Sequence, residues 1–96
     1  MSSLADKVVR ITLDPTGLPV PDASRITVKE DNQKVTWCAD FSFSIEFDDY
    51  DDVKSGTGGA DCRFTWKSGK FTEVRTYKYS ITANGQTNDP DVDVLP

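Results

Sequence analysis

The stretch from Lys34 to Phe47, KVTWCADFSFSIEF, constrains the fold more than any other part of the chain. Val35, Trp37 and Ala39 share one parity, and so do Phe41, Phe43, Ile45 and Phe47, with a break at Ala39-Asp40. Strand side chains alternate between faces, so each set lies on one face of its own strand. Ser42, Ser44 and Glu46 take the opposite, wet face. A helix would scatter these aromatics around its circumference; a sheet gathers them into a core. The composition agrees, with ten Thr, nine Val and four Ile against only four Leu and five Ala. β-Branched side chains lose rotamer freedom in helices and pack well on pleated surfaces.

The same reading along the chain gives strands over 7–13, 25–29, 34–39, 41–47, 62–66, 70–83 and 90–94. Met1 to Asp6 reads as a loose end. Val9, Ile11 and Leu13 point inward, as do Ile26 and Val28. Asp14-Pro15-Thr16-Gly17 is a turn, because proline presets φ and glycine accepts a positive one. Leu18-Pro19-Val20-Pro21 is extended and belongs at an edge or in a connection, since proline has no N–H for a ladder. Asp48 to Asp52 is an acidic loop, Ser55-Gly56-Thr57-Gly58-Gly59 a flexible connection and Lys67-Ser68-Gly69 a hairpin turn. A bend falls near Glu73 to Arg75, because 70–83 is long for one strand. Asn84-Gly85 marks a two-residue type I′ hairpin turn. Counting outward from it, Ala83 faces Gln86, Ile81 faces Asn88, Tyr79 faces Pro90 and Tyr77 faces Val92. Asp89, Asp91 and Asp93 then share the other face with Lys78 and Ser80. Trp37, Phe43, Ile45, Phe64, Trp66, Tyr79 and Ile81 are the expected core. The 96 residues form one domain, 1–96, and about seven strands in that length suggest an all-β, antiparallel Greek-key sandwich.

The order of pieces resembles a cupredoxin-like domain. Arg25-Ile26-Thr27-Val28-Lys29, a polar turn at Glu30-Asp31-Asn32-Gln33, then Val35-Thr36-Trp37 is similar to a segment of that family. So is Tyr77-Lys78-Tyr79 followed by a last strand ending Val92-Asp93-Val94. The resemblance implies a two-sheet scaffold and, in most members, a copper site made of two histidines, a cysteine and a methionine. Those ligands do not carry over: the chain has no histidine, its single Met is Met1, and the final loop is reduced to Asn84-Gly85. The expectation is a metal-free member with no cofactor. An immunoglobulin-like sandwich is the alternative.

Function classes narrow from the same residues. Without histidine, the usual neutral-pH general base and any Ser–His–Asp or Cys–His arrangement are absent, so no catalytic residues are assigned and an enzyme is not expected. The net charge of −5 repels phosphate backbones and anionic membranes. No run approaches a membrane span, and MSSLADKVVRITL lacks a signal-peptide pattern. That favours a cytoplasmic setting if Met1 is the natural start, and with it free thiols at Cys38 and Cys62 rather than a disulfide. Cys38 is expected to face away from the core and Cys62 into it.

Asp48-Asp49-Tyr50-Asp51-Asp52 crowds oxygen ligands as a Ca²⁺ site does, but without the spacing of an EF-hand loop. The glycine stretch leads into a strand rather than a helix, so it is no phosphate cradle. The expected role is a non-enzymatic protein-interaction or structural domain whose partner is another protein. The alternative is a small-ligand or Ca²⁺-binding domain using the loop 48–52.

Overall fold

The computed structural model describes residues 7–57 and 62–96. Ten strands run in chain order: β1 (Lys7–Leu13), β2 (Pro19–Pro21), β3 (Arg25–Lys29), β4 (Val35–Ala39), β5 (Ser44–Phe47), β6 (Val53–Thr57), β7 (Phe64–Ser68), β8 (Thr76–Ala83), β9 (Gln86–Asn88) and β10 (Asp91–Leu95). They form two sheets, ordered β2-β1-β4-β7-β6 and β3-β10-β8-β5, with β9 beside β8. The fold is an all-β sandwich. Its core takes Val9, Ile11, Val35 and Trp37 from the first sheet and Ile26, Val28, Ile45, Tyr77, Tyr79, Ile81, Val92 and Val94 from the second.

The sheets are mainly antiparallel, as expected, but mixed: two of the eight pairings among the described strands are parallel. β1 runs parallel to β4, and β3 runs parallel to β10. A period-two pattern is the same in either direction, so only strands joined by a tight turn reveal their polarity in sequence. Three strands exceed the expected seven. The Pro19–Pro21 segment becomes an edge strand beside β1, and β9 is the short return arm of the last hairpin. β6 occupies part of the stretch read as a flexible connection and pairs antiparallel with β7. Met1 to Asp6 and the Gly58-Gly59 half of the glycine stretch lie outside the described residues.

The C-terminal hairpin has the expected register throughout. Asn84 and Gly85 hold positive φ (53° and 73°), as a type I′ turn requires. Ala83 pairs with Gln86, Ile81 with Asn88 and Tyr77 with Val92. The Tyr79 N–H donates to the Pro90 carbonyl at 3.1 Å.

Several side chains depart from their expected places. Leu13 is 40% exposed, because β1 there pairs only with the short β2 at the sheet's edge. Phe64 and Trp66 are half-buried; the Trp66 indole N–H reaches the Phe43 carbonyl at 2.8 Å, which keeps one ring edge at the boundary. The strand read over 41–47 narrows to Ser44–Phe47, and that over 70–83 to Thr76–Ala83 after the expected bend. Lys67 and Ser68 belong to β7, not to a turn. Ser68 is buried because its hydroxyl accepts the Val35 N–H at 2.8 Å and donates to the Gly69 carbonyl.

Cys38 and Cys62 form a disulfide, with Cα atoms 5.5 Å apart, which corrects the expectation of free thiols. Cys38 faces away from the aromatic core as its parity requires. β7 begins at Phe64, so Cys62 lies before the strand and is not bound by its alternation. It turns to the outer face, where the Arg10 guanidinium sits 3.7 Å from its sulfur.

Candidate interaction surface

Strand register decides what the outer face of the first sheet presents. Thr36 of β4 lies opposite Lys67 of β7, and Lys67 lies opposite Lys54 of β6. One row therefore crosses three strands as Thr36, Lys67 and Lys54, all on the side away from Trp37. The next row is Arg10, Cys38, Thr65 and Gly56. Thr36, Lys54, Lys67, Thr65 and Gly56 of these rows, with Lys34, Ser68 and Asp52, line an open groove of about 600 Å³. Thr65, only 2% exposed, forms part of its floor. Gly56 lies beside Thr65: a Cβ there would sit 3.4 Å from the Thr65 hydroxyl, in ordinary contact.

Lys54 and Lys67 are exposed and directly opposed across antiparallel strands. Side chains so placed have Cβ atoms about 4.5–5.5 Å apart, and like charges there destabilise the pair. Among the described residues neither lysine makes an ion pair; the salt bridges join Arg25 to Asp91 and Asp93, Arg75 to Asp49 and Lys78 to Asp91. The outer face of the second sheet is organised differently. Arg25 approaches Asp91 at 3.1 Å and Asp93 at 3.5 Å, Lys78 reaches Asp91 at 3.2 Å, and Ser80 donates to Asp89 at 2.9 Å. The Arg25 hydrogen bond, then that from Lys78, hold the Asp91 carboxyl below its ordinary range, and Asp91 in turn raises Arg25. One face of the sandwich carries a compensated charge network; the other carries a lysine pair with no ion-pair partner among the described residues.

The loop 48–52 is shaped by its tyrosine. Tyr50 stacks on Phe71 (centroids 4.5 Å apart) and meets Phe47 edge-on at 5.2 Å. Its hydroxyl lies beside Gly69, and burial, then the Asp52 carboxylate, push the phenol up to about 12. The Asp52 carboxylate packs against Gly69, where a Cβ would force it to move aside, and the Asp52 carbonyl accepts the Gly69 N–H at 2.9 Å. Asp49 turns the other way, to Arg75 at 3.0 Å. The carboxylates thus diverge. Among the described residues no three Cys, Asp or Glu side chains gather as a metal site.

Sequence reasoning singled out this loop and missed the lysine groove. Lys54 and Lys67 are 13 positions apart, and only the β6–β7 register brings them together. Tyr50, the one apolar residue in the acidic run, was the available signal that the loop is anchored. No described helix is long and apolar enough to cross a membrane. No protein-family model matches the sequence, and no curated protein matches it either.

Proposed function

We propose that the chain is a non-enzymatic protein-interaction domain that meets its partner through the outer face of the β2-β1-β4-β7-β6 sheet. The opposed, uncompensated Lys54 and Lys67 carry this reading. Like charges set across a ladder cost stability, and a partner that supplies the missing counter-charge recovers it. The scaffold is cupredoxin-like with the copper ligands missing. The two-sheet core and the shortened Asn84-Gly85 hairpin support that part of the reading, and added Cu²⁺ should produce no intense blue absorption. The Cys38–Cys62 disulfide supports a working environment more oxidising than the cytoplasm expected from the N-terminal residues.

Amine-reactive crosslinking of the native protein in its source lysate, read by mass spectrometry, tests the reading. Reproducible crosslinks from Lys34, Lys54 and Lys67 to one protein are expected. Crosslinks confined to Lys29 and Lys78 on the opposite sheet, or no reproducible partner, would contradict it.

A further inference from the structure

We infer that the groove takes a carboxylate-rich, extended segment of the partner protein, with acidic side chains on Lys54 and Lys67. This rests on the reading of that face as the contact surface and names what it contacts. The groove is polar and open, with hydroxyls from Thr36 and Thr65 beside the lysines. At about 600 Å³ it exceeds what a single small anion fills and lies within the range of sites for larger ligands. An extended chain presents every second side chain to one side, about 6.6 Å apart. The two ammonium groups, on adjacent strands and repelling each other, are matched by two such carboxylates. Lysine heads act as point charges on long stems, suited to carboxylates spaced along a flexible segment.

The chain's net charge of −5 does not forbid this contact. Exposed charges are screened beyond about 8 Å at physiological salt. Asp91 and Asp93 lie on the far sheet, paired with Arg25 and Lys78. The same net charge acts against a long polyanion such as nucleic acid, whose phosphates would extend past the groove.

An alternating Glu-Thr octapeptide titrated into the isotope-labelled protein tests the inference by NMR. Amide shifts should centre on Thr36, Lys54, Thr65 and Lys67 and weaken as salt rises. Lys54→Glu separates binding from folding, because it places opposite charges across the β6–β7 ladder. This variant should melt at or above the parent temperature yet bind the peptide about tenfold more weakly. Unchanged affinity in Lys54→Glu, or equal binding of a Lys-Thr octapeptide, would overturn the inference. So would tighter binding of a phosphoserine octapeptide or of single-stranded DNA, or shifts confined to the other sheet. If the acidic peptide fails while crosslinks still map a protein to Lys54 and Lys67, the carboxylate assignment falls and the interaction face stands.

Discussion

Reducing the Cys38–Cys62 disulfide should remove a large share of the domain's stability. The bond joins residues 24 positions apart, and both cysteines are buried. In the chain-entropy treatment, closing a loop of that length restricts the unfolded state by about 3.4 kcal/mol at 25 °C. A domain typically has about 5–15 kcal/mol in total, so the bond accounts for roughly a quarter to two-thirds of it. At about 4–8 °C per kcal/mol for a domain of this size, the melting temperature should fall by roughly 14–27 °C. Urea unfolding followed by tryptophan fluorescence, with and without a thiol reductant, measures the effect. With m near 1–3 kcal/mol/M, the midpoint should move down by about 1–3 M. The double variant Cys38→Ala/Cys62→Ala should melt near the reduced parent and be insensitive to reductant. Coincident oxidised and reduced midpoints, with thiol titration confirming reduction, would refute the reasoning.

Trp37→Ala should cost about 3–5 kcal/mol, because the indole is fully buried and packs on Phe47 and Tyr79; a melting curve like the parent's would place Trp37 outside the core. Burial pushes Tyr79, like Tyr50, up to about 12, so neither phenol should ionise at the ordinary value near 10 in an ultraviolet titration. Because the folded form holds these protons more tightly, their stabilising contribution is complete below pH 10 and lost between 10 and about 12. Gly85→Ala should destabilise by about 1–2 kcal/mol through its positive φ alone, since the space around it is open; thermal melting reads the loss.

The hairpin at Asn84-Gly85 was legible because a two-residue turn sets the count, and the apolar parity of Tyr77, Tyr79 and Ile81 agrees with it. The core alternations of Val9 and Ile11, of Ile26 and Val28, and of Val35 and Trp37 were legible for the same local reason. Pairings between distant strands were not. Nothing in Lys7–Leu13 marks it as a parallel neighbour of Val35–Ala39, since that choice is made by the packing of the whole core. β6 was hidden because Val-Lys-Ser-Gly-Thr has one apolar side chain; its place comes from hydrogen bonding to β7 rather than from burial. Phe71 is fully buried though it lies in the irregular stretch between β7 and the bend at 73–75, where no period announces it. The groove depended on all of these pairings at once, so it became visible only with the register of three strands.

The central claim is that the first sheet's outer face is the contact surface and the second sheet's is not. Hydrogen–deuterium exchange of the free protein against its complex with the crosslinked partner tests this most directly. The account predicts added protection in peptides covering β4, β6 and β7, with β3 and β10 unchanged. Protection concentrated on β3, β8 and β10, with Lys54 and Lys67 exchanging as in the free protein, would contradict it.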